Sequence, residues 1–307
     1  MRALIYPLAT APWLKPAFSR TWATRALLVF MAYYACGRMG LATPQVGEHI
    51  SLVWASAGIA LVAFLRHGPS LWPAVWLAAL AVNLSTPVAP WAAVMMAVGN
   101  TLGPLCGAWW LRRQGLHPEL DRRRDLWLYA LFGVGVPMAL TASNGTFWLV
   151  AAGALRWADV PLAWLAWWLG DAMGAVVVGV PLLTLSRRVV RERLQVGRWL
   201  PTALLAGASV LSGWLAFTLP DTGTLLSPLV FLPHLLLCWL AVRSGIFVAS
   251  SAALLLTTGT VIATLNGQGP FFQGSATASL ALLSGYVVSL SAMPLLVTAL
   301  MGELAGH

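Results

Sequence analysis

Asp171 sits in Trp167-Trp168-Leu169-Gly170-Asp171-Ala172-Met173-Gly174, deep inside a long apolar run. An ionisable side chain in hydrocarbon costs about 2.5 to 3.5 kcal/mol on insertion scales, so this carboxyl is the first place to look for function. Gly170 and Gly174 are four apart and share one helix face, where they admit a neighbouring helix; Asp171 lies one position round from that seam. Two readings stay open. Asp171 is a ligand or proton site, or it is the hub of internal hydrogen bonds, paired with Arg38 or Arg156. Asn83, Asn100, Asn144 and His234 also fall in apolar runs, where each needs an internal partner. Asn100, in Gly99-Asn100-Thr101-Leu102-Gly103, is flanked by small residues four apart and faces another helix, for packing or for binding. His234 follows Pro233 and reads either as a pH-sensitive group or as a donor to a carbonyl freed by the proline. Trp54, Trp167 and Trp168 stand near outer ends of apolar runs beside Ser56, Gly58, Gly170 and Asp171. They are interfacial anchors or the aromatic wall of a pocket. Glu48-His49, at the outer edge of the second run, reads as a solvated pair.

The elements that must carry these residues follow from composition. Of 307 residues, 59% are hydrophobic and 9% charged. With a mean hydropathy of +0.80, too little polar surface remains to clothe a water-soluble globule. A hydrocarbon core of about 30 Å takes about 20 residues of helix. That ruler divides the chain into ten spans, at 22–41, 50–66, 69–86, 91–111, 125–150, 160–186, 199–219, 225–242, 246–265 and 277–301. The expected fold is an all-α polytopic integral membrane protein, a bundle of about ten transmembrane helices, or eight if tight hairpins merge. Segments 1–21 and 303–307 flank a membrane-embedded domain over 22–302, the first as a short basic tail and the second as a stub. Asp171, eleven residues into the sixth span, falls some 16 Å deep at about 1.5 Å per residue.

Eighteen Lys and Arg against nine Asp and Glu give +9. With the N-terminus inside, sixteen of those cations fall on the cytoplasmic face, and only Arg38 and Arg156 fall outside. Both termini are then cytoplasmic. The runs at Arg122 to Arg124 and Arg187 to Arg198 read as topology signals touching lipid headgroups, not as nucleic-acid contacts. Many of the seventeen tryptophans, such as Trp72, Trp91, Trp109, Trp110, Trp127, Trp157 and Trp199, mark span ends. Cys36, Cys106 and Cys238 have no CxxC spacing, so no metal, cofactor or disulfide framework is expected. GxxxxGK[ST], HExxH, GxSxG and kinase motifs are absent, and intrinsic enzymatic activity is not expected.

Four segments in order carry a family resemblance: Val53-Trp54-Ala55-Ser56-Ala57-Gly58-Ile59-Ala60-Leu61, Gly99-Asn100-Thr101-Leu102, Trp167 to Gly174, and Asn266-Gly267-Gln268-Gly269-Pro270-Phe271. Over about residues 25 to 302 the chain resembles the type-one membrane-associated sensor (MASE) family. Members commonly show Trp-Pro where this chain has Trp54-Ala55, which bears on the local bend. The resemblance implies a bacterial inner-membrane module that precedes a cytoplasmic histidine kinase, diguanylate cyclase or phosphodiesterase. The implied partners are the bilayer and such an output module, in cis or in trans, with a homodimer admitted.

The expected role is signal input. A site of Trp54, Ser56, Gly58, Asn100, Trp167, Trp168 and Asp171 would receive the signal, with Gly99, Gly103, Gly170 and Gly174 packing helices and the last span transmitting. The competing role is a small-molecule carrier. Arg66-His67-Gly68 and Arg243-Ser244-Gly245 form matching tight bends, which hint that spans one to four and seven to ten are parallel repeats. A scaffold that recruits a partner through its small-residue faces is the third.

Overall fold

The computed structural model of the chain describes residues 19–42, 53–186, 199–218, 228–272 and 276–305. Glu48-His49, Arg2, Lys15 and the run from Arg187 to Arg198 lie outside the described residues. Ten helical elements appear among those described, one in each expected span. They are α1 (Arg20–Ala42), α2 (Ala55–His67), α3 (Trp72–Asn83, entered by a 3-10 turn at Pro69–Leu71) and α4 (Pro90–Arg113). Then follow α5 (Arg123–Ala151), α6 (Trp157–Thr184), α7 (Trp199–Thr218), α8 (Leu232–Ser244), α9 (Ile246–Leu265) and α10 (Ala276–Ala305).

Six of these, α4, α5, α6, α7, α9 and α10, contain stretches long and apolar enough to cross a bilayer unaided. The chain is a polytopic, all-helical membrane protein. α2 and α8 have 13 residues each, about 20 Å of helix, short of a hydrocarbon core of about 30 Å. The second span was expected to begin at residue 50; its helix begins at Ala55 instead. The reason is visible in its burial. Every residue from Ser56 to Leu65 is buried, so protein, not lipid, surrounds this helix, and an element clad by neighbours need not reach both membrane faces. The last helix departs in the other direction, running on through Ala305 past its expected end at 301.

Prolines set several starts. Pro73, Pro90, Pro161 and Pro233 occupy the first turns of their helices, where a missing N–H leaves no bond broken. The tight bends need glycine: Gly68 (φ 88°, ψ 177°) and Gly245 (φ 79°, ψ 168°) adopt backbone angles closed to other residues. Each gives its N–H to the carbonyl four residues back, Phe64 at 2.9 Å and Ala241 at 2.8 Å. At the first bend the Arg112 guanidinium donates to the Leu65 carbonyl at 2.7 Å, a cation capping the end of α2.

The chain forms two compact units: Met1–Pro118 with Trp127–Gly179, and Glu119–Leu126 with Val180–His307. In the first, α1 packs on α2 and α3, α4 packs on the same two, α5 packs on α4, and α6 on α5 and α2. In the second, α7 packs on α8 and α9, and α10 packs on the same two. The four-helix order is thus repeated, together with its glycine bend. α5 and α6 pass between units, since the first turn of α5 and the last turn of α6 belong to the second.

Both are interrupted by π-helical turns, Tyr129–Gly135 in α5 and Gly174–Val178 in α6. A π turn leaves a main-chain carbonyl without its usual donor. Here Tyr129 Oη donates to the Ala175 carbonyl at 2.7 Å and Trp168 Nε1 to the Gly135 carbonyl at 3.0 Å. Opposite the second wide turn, α2 comes close enough that a Cβ on Gly58 would collide with the Gly174 carbonyl, and one on Gly174 with the Trp54 carbonyl. Because the obstacle at Gly174 is backbone, Gly174→Ala should destabilise the protein by about 1 to 3 kcal/mol. Gly207→Ala and Gly259→Ala, where a Cβ meets nothing within 4 Å, should be neutral or better in the same detergent thermal-unfolding series.

Candidate functional site

Asp171 is fourteen residues into the 28-residue helix α6, and only 2% of it is exposed. Two wide-turn helices and the pinned start of α2 converge on it. Thr141 of α5 places its Oγ1 2.5 Å from Asp171 Oδ2, and the Trp167 indole, one turn earlier on α6, bonds the same carboxyl. Trp167 is held in turn by Gly145, whose Cβ would overlap the indole ring. Its ring also packs on the core formed by Val88, Ala92, Met96 and Leu149.

The neighbouring layer comes from α1, α2 and α4. The main-chain N–H of Trp54 donates to the Gly170 carbonyl at 2.8 Å, fixing the entry to α2 directly against the turn that carries Asp171. Trp54, followed here by alanine, stands non-helical (φ −96°, ψ 79°) immediately before α2. Ser56, fully buried, donates its hydroxyl to the Tyr33 carbonyl at 2.8 Å. The Tyr33 phenol, itself 1% exposed, is bonded by the Trp54 and Asn100 side chains and faces Asp171. Asp171, Thr141, Trp167, Tyr33, Trp54, Ser56 and Asn100 therefore form one buried polar cluster fed by five helices.

Other residues named from the sequence are placed around this cluster. Gly58 and Gly174 make the close approach of α2 to α6, and Gly170 supplies the carbonyl that Trp54 uses. Gly99 and Gly103 of α4 lie against α5, where added methyls would strike Asn144 and the Pro137 carbonyl with the Thr141 methyl. Asn144 donates to the Met95 carbonyl and accepts from Trp148 Nε1, each at 3.0 Å. Asn83 reaches the Ala93 carbonyl at 3.4 Å. Trp168 is not in the cluster: one residue on from Trp167 it points about 100° away, stacks on Trp164 and serves the α5 wide turn. The pairing of Asp171 with Arg38 or Arg156 is corrected. Arg38 is exposed, and Arg156 bonds Asp159 at 2.7 Å on the surface ahead of α6. Arg156 is fifteen residues from Asp171, about 22 Å along a helix, beyond any side chain's reach. That Asp159 carboxylate holds the Arg156 guanidinium above its ordinary pKa.

Tyr33 and Thr141 were not read from the sequence. Thr141 resembles any helix threonine, and its hydroxyl does also reach the Met138 carbonyl, at 2.7 Å. For Tyr33, a phenol in the middle of an apolar helix was the signal available, since a buried Tyr hydroxyl wants a partner.

The second unit has a separate, more aromatic centre. His234 Nε2 and Ser289 Oγ are 2.9 Å apart, and Phe217, Phe271 and Tyr286 pack around them. Beside it, α7 and α9 enclose a largely apolar groove of about 240 Å³ ending at Asn266 and Gln268. Among the described residues no three His, Cys, Asp or Glu side chains converge as metal ligands would. Cys36, Cys106 and Cys238 are free thiols.

The sequence profile of MASE1 matches residues 25–305, nearly the whole chain. The chain belongs to the MASE1 family. MASE1 is a membrane-associated sensory domain and not a catalytic one. Comparison with curated proteins and with solved structures finds no match.

If Thr141 and Asp171 act as a bonded pair, Thr141→Val and Asp171→Leu should be strongly non-additive. A double-mutant cycle on detergent unfolding should give a coupling of about 1 to 3 kcal/mol, whereas independent residues would add to within about 0.5 kcal/mol.

Proposed function

We propose that this MASE1 chain is the signal-input domain of a bacterial signal transduction protein, and that the Asp171 cluster is where the signal is received. The observation that carries the reading is the cluster itself. Seven polar or aromatic side chains from α1, the start of α2, α4, α5 and α6 meet at mid-depth, where each polar group costs stability unless bonded. A purely structural bundle has no need of a carboxyl there. The regulated partner is a cytoplasmic histidine kinase or a cyclic-di-GMP enzyme, in cis or in trans, and a homodimer is compatible with the domain's role. The home of the domain is the bacterial inner membrane. All ten helices cross or enter it with both termini cytoplasmic, a placement supported by the sixteen-to-two distribution of basic residues.

Transmission runs through α5 and α10. α5 carries Thr141 at its middle and Arg123 at its start. Arg123 Nε bonds Glu303 Oε2 at 2.6 Å, and its main-chain N–H bonds Glu303 Oε1 at 3.3 Å. Next to this pair a Cβ on Gly302 would collide with the Asp121 carbonyl, so residues 121–123 lie tightly across the last turn of α10. An exposed ion pair contributes little stability, about 0 to 1 kcal/mol, but a bonded main chain fixes register. A shift of α5 set by Asp171 therefore reaches the point from which α10 would lead to an output domain.

A carrier is the second reading, favoured by the repeated four-helix order and the matched Gly68 and Gly245 bends. It requires solute flux in liposomes containing this chain alone, which a sensor would not give.

Fused to a diguanylate cyclase, the domain should lose or lock its regulation on Asp171→Asn or Trp167→Ala at unchanged expression. Unaltered output from both would remove the cluster from signalling. Glu303→Gln should weaken regulation in the same chimera while changing unfolding stability by less than about 1 kcal/mol.

A further inference from the structure

Thr141 Oγ1 has two neighbours and one proton. It lies 2.7 Å from the Met138 carbonyl, which only accepts, and 2.5 Å from Asp171 Oδ2. A hydroxyl donates once. Both short contacts are hydrogen bonds at the same time only if the other proton belongs to Asp171: the carboxylic acid donates to Thr141, and Thr141 donates to Met138. With Asp171 ionised, Thr141 must turn its proton to the carboxylate, and the Met138 carbonyl gives up that donor.

Among the described residues, the helices packed around Asp171 place no cation beside it to balance an anion. α2 and α5 pack on α6 at this level, and α1 reaches it through Tyr33. The ionisable groups of α2 are Arg66 and His67, at its far end beside Gly68. Those of α5 are Arg123, Arg124 and Asp125 in its first turn, and Tyr129, which is committed to Ala175. At the start of α6, Asp159 and the preceding Arg156 satisfy each other at the surface. α4 adds Arg112 and Arg113 in its last turn and Cys106, while α1 adds Arg20 and Arg25 in its first turns, the half-buried Tyr34 and Cys36 beside Tyr33, and the exposed Arg38. Among the described residues, the titratable group that faces Asp171 is the Tyr33 phenol.

Resting on the reading of this cluster as the reception site, we infer that the ligand it takes is a proton, bound at Asp171 Oδ2. In the loaded form Oδ2–H donates to Thr141. On release the O–H bond breaks, the proton passes to water or a buffer base, and the electron pair stays on the carboxylate. The Thr141 hydroxyl then rotates from Met138 to Asp171, joining the Trp167 N–H as donor to the anion. Met138 lies three residues beyond the wide turn of α5, so proton release alters the bonding of α5 next to that turn.

The test is infrared difference spectroscopy of the full chain in nanodiscs, stepped between about pH 5 and about pH 9. The expected result is a protonated-carboxyl C=O band that is lost as pH rises and is missing from Asp171→Asn. Thr141→Val should displace the midpoint of that loss by about one pH unit, and this variant serves if Asp171→Asn folds poorly. No difference between wild type and Asp171→Asn in the carboxyl region at any pH would overturn the inference. The cyclase chimera separates this from the wider reading. A titrating Asp171 band with output indifferent to pH and to Asp171→Asn upholds proton binding and removes the sensory role. Output that depends on Asp171 but not on pH keeps the sensory role and overturns the proton.

Discussion

Inside a bilayer no water is at hand to finish a hydrogen bond, so a buried carboxyl must find its partners within the protein. The first unit can be understood as the consequence of meeting that demand at Asp171. Partners had to be delivered from several directions at one depth, which brings Thr141 from α5 and the indole of Trp167 from α6, with the Tyr33 phenol of α1 facing them. Bringing the helices of this cluster that close requires that bulk be absent at the crossings. The glycines at 58, 99, 103, 145 and 174 stand where an added methyl would meet backbone or a held side chain. Glycine is costly in helices in water, but in lipid close packing is a principal force between helices, and small residues obtain it.

The same demand explains why both helices flanking the carboxyl contain wide turns. Gly174–Val178 begins three residues after Asp171, and Tyr129–Gly135 ends six before Thr141. A regular helix would spend all its carbonyls on itself. A wide turn releases one, and a long aromatic donor from the facing helix can take it. Tyr129 does so for Ala175, and Trp168 for Gly135. The two helices are thereby cross-linked on either side of the carboxyl by bonds that are strong in low dielectric yet made by side chains that can rotate.

How much of this could be read beforehand depended on whether a residue's own chemistry was out of place. A carboxylate in an apolar run is conspicuous, and so Asp171 was legible together with its depth. Glycines at four-residue spacing were legible as seams. The aromatic neighbours were only half legible, because adjacency in sequence does not say which way a side chain points. Trp167 turns towards Asp171, whereas Trp168, next to it, turns to α5. Thr141 and Tyr33 gave no comparable signal, since threonine satisfies itself on its own helix and one tyrosine among many aromatics looks like an anchor. The guess of an arginine partner failed on length: Arg156 is near in sequence terms but a full half-helix away in space. The ten helical segments were legible because long apolar runs leave few alternatives. The shortness of α2 was not, because hydropathy does not distinguish lipid from protein as the apolar neighbour.

A sensor must convert a small event into a shift of populations, and the scale of the interactions around Asp171 is suited to that. Leaving a buried carbonyl such as that of Met138 without its donor costs about 1 to 3 kcal/mol. A difference of about 1.4 kcal/mol between two arrangements is already tenfold in their ratio. That leverage is useful only if it is not dissipated, and packed interfaces are bistable more readily than they are compliant. In α5 the lever is a single continuous element. Its Thr141 end is clamped by the glycine seam of α4, and its Arg123 end is tied to Glu303 through both side chain and main chain. The wide turn Tyr129–Gly135 lies between those two contacts. Asp171 is bonded to Thr141, which sits six residues along α5 from the end of that segment.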